Sequence, residues 1–451
     1  MELEEAVSYG LDLGADFVEI REEAKSNTGI KLVDGVVREN STGTFYNVGV
    51  RVLYRGGWGL ATVGSIEEVK GAVERAFKLA KVASKGNEPI DVDWPSFNGK
   101  EYVKPEIPPW EVPNEDKLRL AREQEELARM DKVRNVNIVY RDARVRRRVV
   151  NSVGTDVEQE VPYVIMYAYV FSHEDGVTES AFESKGGTKG LEMLKDLDIG
   201  EKAAKRAVES LKAKPAPAGA FTAILGPKLA GVFIHEAFGH AAEADAILEG
   251  MSVLEGKIGE KVGIEEVNVI DDPTIPGLFG SYFFDDEGSK AKRKYIVREG
   301  VLAGYMHSLE TSSKLKAEPT GNARAMDTLN PPIVRMSNTF IDKGTWKFEE
   351  MLSEIKEGIY AFGSLYGYVL PEKGQFMFKA EGGWWIEKGE LKYRLREVAI
   401  SGLTLEVLHN IDAVGDDVVM DPGFCGKEGQ YVPVTTGAPH IRIKNLVFGG
   451  R

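Results

Sequence analysis

Apolar and polar residues in the first two hundred positions fall into periods that change from element to element. Residues 3–14 read as a short helix, and Asp16-Phe17-Val18-Glu19-Ile20-Arg21 then takes up the two-residue period of a strand. Alternation returns in Ile30–Val33 and in Tyr46–Tyr54, where Val48, Val50 and Val52 share one face. Ser65-Ile66-Glu67-Glu68 has the form of a capping box, and Ile66, Val69, Val73, Ala76, Phe77 and Ala80 follow at helical spacing until Gly86 stops them. The prolines of residues 105–113 predict an extended loop, because proline lacks an amide donor and disfavours helix at the residue before it. A charged helix is expected from Asn114 to about Met130, then strands near 135–150 and 161–171, and another helix near 199–213.

Lys214-Pro215-Ala216-Pro217-Ala218-Gly219 interrupts this texture and marks a boundary. The expected division is an N-terminal α/β layered domain over residues 1–214 and a β-rich domain over residues 215–451. Beyond one helix near 229–245, short apolar runs alternate with Gly and Asp turns, as in Ile296–Met306, Ile333–Ile341 and Phe376–Leu408. Val297–Leu302 and Ile386–Leu391 look like two similar hairpins. The fold class is therefore α+β, with the second domain mainly antiparallel and shaped as a barrel or a sandwich.

Composition narrows the functional classes. The chain has 451 residues, 43% hydrophobic and 28% charged, which is ordinary globular content and enough for two or three domains. Acidic residues outnumber basic ones by 71 to 57, and the net charge of −14 argues against a general nucleic-acid or anionic-membrane binder. No apolar run approaches the ~20 residues of a membrane span. The acidic start Met1-Glu2-Leu3-Glu4-Glu5 lacks the pattern of a signal peptide, so a cytoplasmic protein is expected. A single cysteine excludes an intramolecular disulfide.

Two of the six histidines stand five apart in Ile234-His235-Glu236-Ala237-Phe238-Gly239-His240. Gly226-Pro227 before them is a helix start feeding an apolar segment, so the motif belongs to a largely buried helix. It differs from His-Glu-x-x-His by one inserted residue. At ~100° per residue, positions five apart diverge by about 140° on a regular α-helix, and the imidazoles would point away from each other. They share a metal only if the helix widens locally or ends inside the motif, and a π-bulge is the usual way to absorb one residue. Gly239 lowers the cost of such a distortion. Glu236, beside a metal-bound His, is placed to take a proton from an activated water. The plainer alternative is a buried helix whose two histidines make ordinary hydrogen bonds.

A zinc site needs at least one more ligand, and Glu243, Asp245, Asp285-Asp286-Glu287, His409, His440 and Cys425 are the candidates. Thiolate is the softest donor among them. Cys425 lies in Asp421-Pro422-Gly423-Phe424-Cys425-Gly426-Lys427-Glu428-Gly429-Gln430, read as a glycine-flanked loop in which Lys427 favours the thiolate. Glu243 and Asp245 are candidates for orienting the imidazoles, or else a solvated helix face. No residue is singled out as an oxyanion donor; His307, His409 and nearby arginines remain alternatives.

These residues together resemble the TldD/PmbA family of metallopeptidases, specifically its metal-binding TldD-type members. The resemblance is carried by the histidine motif with Glu243 and Asp245, Asp285-Asp286-Glu287-Gly288, Thr320-Gly321-Asn322-Ala323-Arg324, Arg335-Met336-Ser337-Asn338-Thr339, and Cys425–Gln430 with Val432-Pro433-Val434. It covers the C-terminal half; the N-terminal half matches in general layout, including Gly14-Ala15-Asp16 and Gly49-Val50-Arg51. Ser289-Lys290-Ala291-Lys292 is more basic than the family pattern, and Tyr366-Gly367-Tyr368 stands where members often have Gly-Gly.

The resemblance implies a zinc site of His235, His240 and Cys425, with Glu236 as general base for zinc-activated water acting on peptides or unfolded polypeptide segments. It also implies a dimer, either with itself or with a metal-less PmbA/TldE-type paralogue. A thiolate ligand makes the zinc a weaker Lewis acid than a three-His site would. The rival expectation is a non-catalytic binding or regulatory subunit, in which zinc ties the helix to the Cys425 loop. A Gly-x-Ser-x-Gly elbow and a Gly-x4-Gly-Lys-Ser/Thr loop are both absent from the sequence.

Overall fold

Long strands dominate the N-terminal domain because its β-branched residues recur every second position over stretches the sequence only partly reveals. The computed structural model describes residues 2–85 and 88–449, so the expected helix stop at Gly86 lies outside the described residues. In chain order the elements are α1 (Leu3–Asp12), β1 (Phe17–Val33), β2 (Val36–Tyr54), β3 (Gly57–Val63), α2 (Val69–Ala83), β4 (Asn98–Tyr102), α3 (Asn114–Leu127), β5 (Val133–Asn151), β6 (Asp156–Glu174), β7 (Val177–Gly187) and α4 (Ile199–Ser210). They build a seven-stranded sheet in the order β3-β2-β1-β5-β6-β4, with β7 also paired to β6; only the β4–β6 pairing is parallel. Strand β7 has no counterpart in the expectations above.

One strand, β1, joins the two apolar stretches that read as separate elements. Its even positions Val18 and Ile20 pack under α1 and α2, and Ile30 and Leu32 pack under α3 and α4. Glu22, Ala24 and Ser26 on the same face lie between the two helix pairs and are not buried, which is why the pattern breaks there. The odd positions Glu19, Arg21 and Glu23 are charged and yet buried. They meet the C-terminal region: Arg51 pairs with Glu19 at 3.2 Å and also with Glu287, Arg21 donates to Asn330 O at 2.7 Å, and Arg147 pairs with Glu23 and, at 2.8 Å, with Asp286.

The chain enters the C-terminal region through β8 (Lys214–Pro215) and β9 (Gly219–Leu225). A ten-stranded sheet forms around β9, which runs parallel to Glu357–Phe362 and antiparallel to Ile441–Gly449. Its strand order has two free ends, so it does not close into a barrel. A six-stranded sheet ends at Val419–Lys427, paired with Gln430–Ala438. The helix starting at Pro227 packs between the sheets, and one apolar cluster joins Phe233, Ile234 and Phe238 to Ile359 and Phe376 of one sheet and Val269 and Val434 of the other. Burying side chains of that size contributes about 1.5–3 kcal/mol each. Both expected hairpins form. Glu299-Gly300 and Lys388-Gly389 have positive φ at both residues (51° and 74°, 53° and 76°), the type I′ turn that matches strand twist.

Candidate metal centre

Gly226 caps the motif helix and Pro227 opens it, since proline's missing amide is one of the unpaired donors at any helix start. Regular α-helix, α5, runs Pro227–Phe233; a π turn follows over Ile234–Gly239, then a 3-10 turn over His240–Ala242. The backbone amide of His240 donates to the carbonyl of His235, an i to i+5 bond between the two motif histidines. Widening by one residue is what lays positions five apart on one face, and the imidazole centroids are 5.4 Å apart at 82°. Gly239 has ordinary helical torsions (φ −59°), so conformational freedom is not its role. A Cβ there would lie 2.1 Å from Met336 Sδ; glycine is needed for close approach.

Cys425 is not in a loop. It sits on the edge strand Val419–Lys427, opposite Val432, because Glu428-Gly429 (φ 51° and 75°) makes another tight turn that continues the hairpin. Alternation along that strand exposes Phe424 and buries Cys425 against the motif helix, leaving the cysteine 3% accessible. Buried Arg335 holds the hairpin from beneath, donating to Cys425 O at 2.5 Å and to Gln430 O at 3.2 Å.

The structure brings together His235, His240 and Cys425: one donor atom from each lies within 4.8 Å of the others. Cys425 Sγ is 3.4 Å from His240 Nε2, close to the roughly 3.5 Å that a tetrahedral zinc would impose between a sulfur and a nitrogen ligand. On its other side His240 Nδ1 is 3.0 Å from Glu243 Oε2, an arrangement that leaves Nε2 facing the centre. His235 is 2% accessible and its Nδ1 has no hydrogen-bond partner among the described residues, so its ring has a nitrogen uncommitted to protein. Two imidazoles and a thiolate fit zinc in donor type and number, with a fourth position left over.

The charges of the three side chains and Glu243 are coupled. Burial works against ionising Cys425, but His235 and His240 overcome it and hold the thiol well below its ordinary range. Burial likewise opposes charge on His240, yet Glu243 and Cys425 raise it well above an ordinary imidazole. Glu243 is held down to about 2: desolvation alone would raise it, and Lys427 and His240 more than compensate. Thiolate and imidazolium are thus paired, and a cation bound here would take the place of the imidazolium proton.

Several sequence-derived candidates take other roles. Asp245 reaches neither histidine; its two oxygens bind Lys427 Nζ at 2.8 and 2.7 Å. Lys427 is thereby committed to Asp245, to Glu243 at 3.1 Å and to Val334 O at 3.1 Å, and the histidines rather than the lysine favour the thiolate. Asp285 accepts from the amides of Glu287 and Ser289, and Asp286 and Glu287 pair with Arg147 and Arg51 at the interface with the N-terminal domain. His440 binds Asp417 at 2.6 Å and Tyr360 at 3.2 Å; His307 is buried beside Thr311. His409 closes the short helix Thr404–His409 and is not in the cluster.

Glu236 stands at the edge of this core, beside the His240 nitrogen that faces the centre and, with His235, at the cleft. Its side chain is 35% exposed, 3.8 Å from His240 Nε2, at the wall of a cleft of about 520 Å³. Tyr360, Phe362 and Phe424 give the cleft apolar surface, and Lys228, Asp421, Glu183 and Arg206 form a charged band. Lys228 pairs with Glu183 and, at 3.0 Å, with Asp421, while Arg206 pairs with Glu183 at 2.8 Å. Sequence reading missed this band. Lys228 precedes His235 by seven residues, two helical turns on the same face, which is the signal that could have found it.

The chain is similar to known proteins along most of its length. Residues 18–80, 107–211 and 218–450 match, in turn, domain 1, the central domain and the C-terminal domain of the PmbA/TldA metallopeptidases. A metalloprotease of Methanocaldococcus jannaschii is 42% identical over 97% of this chain and 98% of its own length. A protein of Saccharolobus solfataricus named zinc metalloprotease TldD homolog is 29% identical over 97% of this chain and 98% of its own. The crystal structure of TldE from Thermococcus kodakarensis superposes with a TM-score of 0.82 at 23% identity, covering 99% of this chain and 100% of that one, and shares the fold.

Proposed function

The chain belongs to the PmbA/TldD metallopeptidase family, and on that premise we propose that it is a zinc-dependent peptidase acting on peptides or unfolded polypeptide segments. His235, His240 and Cys425 would hold the metal, and Glu236 would be the general base. One observation carries this reading: three soft or borderline donors converge in the buried core while the carboxylate next to them in sequence is turned to an open cleft. A structural zinc in a regulatory subunit has no use for that carboxylate.

Bound zinc supplies Lewis acidity, polarising a scissile carbonyl and acidifying water. Glu236 takes the proton of the attacking water and hands it to the departing amine, a role that calls for a carboxylate with access to both solvent and substrate. Glu243 keeps the His240 ring oriented, and the Cys425 thiolate brings negative charge that tempers the metal. The cleft supplies apolar surface for side chains and charged groups for the peptide's polar ends.

Replacing Glu236 with Gln tests the assignment. Zinc content should be unchanged and peptide cleavage should fall at least about 100-fold, the usual scale for a lost general base. Cleavage that survives with zinc still bound refutes the role. We place the protein in the cytoplasm, consistent with a chain whose single cysteine leaves it without an intramolecular disulfide; no helix among the described residues is long and apolar enough to cross a membrane. We also propose that it works as a dimer with itself or with a TldE-type paralogue, the shared fold being the support; co-purification from source cells and light scattering distinguish the two.

A further inference from the structure

A second cavity, of about 480 Å³, lies on the far side of Phe424, whose ring borders both it and the cleft of Glu236. It opens between the N-terminal sheet and the hairpin that carries Cys425. Its charge is opposite to that of the first. The Glu236 cleft has four carboxylates (Glu183, Glu236, Glu381, Asp421) against Lys228 and Arg206. The second cavity has Lys25, Arg141, Arg147 and Arg324 against Asp142 alone.

Most of these charges are already answered. Arg147 pairs with Glu23 and Asp286, Arg141 with Glu39, and Asp142 with Lys117 at 2.7 Å. Two cations remain. Among the described residues neither Lys25 nor Arg324 has a carboxylate oxygen within 4.0 Å. Arg324 is 5% accessible; its guanidinium donates to Met336 O and Pro433 O, both at 2.7 Å, and lies over the Tyr282 ring at 4.9 Å, with no carboxylate among these partners. A buried guanidinium without a counter-charge costs several kcal/mol, a cost a structure tolerates where a ligand removes it. Tyr163 and Tyr167 add phenolic side chains to the lining.

We propose that this cavity is a substrate subsite that binds a carboxylate of the peptide, on the opposite side of Phe424 from the bond to be cut. The inference rests on the peptidase reading above and extends it to substrate class: peptides with an acidic residue or a free C-terminus at that position. A forked guanidinium beside an ammonium and phenolic donors suits a planar carboxylate. Phosphate is the other anion such charges attract, but phosphate cradles are built from glycine-rich backbone amides, and no glycine lines this cavity. Phe45, Ile165, Phe279 and Phe424 make its walls apolar, as a peptide side chain requires.

The test is binding, read by calorimetry on the zinc-loaded full chain with Glu236→Gln, so that cleavage does not enter. Three probes are compared: acetyl-tetra-alanyl-glutamate, its C-terminal amide, and the glutamine amide; inorganic phosphate is the competitor. The carboxylate peptides should bind at least about tenfold more tightly than the glutamine amide. The first two probes tell a terminal carboxylate from a side-chain one. Lys25→Gln and Arg324→Gln should each shrink that ratio, Arg324→Lys should restore part of it, and melting curves check that the Arg324 variants fold. Equal affinity for the acidic and neutral peptides overturns the proposal, as does a ratio untouched by Lys25→Gln, or phosphate binding more tightly than every peptide. Mass spectrometry of the recovered probes shows whether any were cleaved, and in that case the titration is repeated on chelator-stripped protein, so a failed general-base test leaves this result readable by itself.

Discussion

At the scale of single residues, two positions in and around the centre depend on what they touch. Gly239 could be mistaken for a helix softener, but its Cβ-less face admits Met336 Sδ. Gly239→Ala should therefore destabilise the protein by about 1–3 kcal/mol through overpacking and should lower zinc retention, both read by denaturant titration with and without chelator. Unchanged stability would mean that Met336 moves freely aside. His307 is a pH-sensitive residue outside the proposed metal centre. Burial lowers it to about 4 against an ordinary 6.5, with Thr311 only partly opposing. Below 6.5 the unfolded chain takes up a proton there that the folded chain refuses until about pH 4. Stability should thus fall as pH drops through that window, by up to about 3 kcal/mol. His307→Gln should flatten that part of the stability–pH curve; an unaltered slope would assign the effect to other groups.

Among the elements, the motif helix was the most legible part of the sequence and the cysteine segment the least. Helical arithmetic alone requires an irregularity between two histidines five apart, and the π turn over Ile234–Gly239 is that irregularity. No such arithmetic applies to residues 419–427. Glycines at 423, 426 and 429 suggest a loop, yet strand pairing is set by the partner strand Gln430–Ala438, which a local pattern does not reveal. Proline at 422 is tolerated because the strand is an edge. Arg335 belongs to this element as much as to its own: with its guanidinium on Cys425 O and Gln430 O it keeps the sulfur at the helix. Arg335→Met should keep the fold's apolar volume while loosening the hairpin. Zinc affinity, measured by chelator competition, should drop 10- to 100-fold, the usual range for residues that support metal ligands. Wild-type affinity in that variant would show that the hairpin needs no clamp.

For the whole molecule, the interface between the N-terminal domain and the C-terminal region combines buried ion pairs with apolar contacts, Leu309 against Phe17 and Leu53, and Phe284 against Val149 and Val157. A sequence reader assigns the odd positions of β1 to solvent, because Glu19, Arg21 and Glu23 are charged; only the tertiary structure shows that a second layer covers them. Removing one partner of a buried pair leaves the other uncompensated, at about 3–5 kcal/mol. Glu287→Ala, which removes one of the two carboxylates on Arg51 and the acceptor of the Leu309 amide, should accordingly lower the unfolding midpoint or split the transition in two, whereas an exposed pair such as Lys257–Glu260 should matter by less than about 1 kcal/mol. A single unshifted transition in Glu287→Ala would contradict that view of the interface. What the entire architecture does is bring the histidine helix and a cysteine 185 positions further along the chain to one point. Zinc per chain, determined by elemental mass spectrometry on wild type and Cys425→Ser purified and dialysed identically, tests that most directly. About one zinc in the wild type and almost none in the variant is the expected result; equal zinc in both would contradict the account.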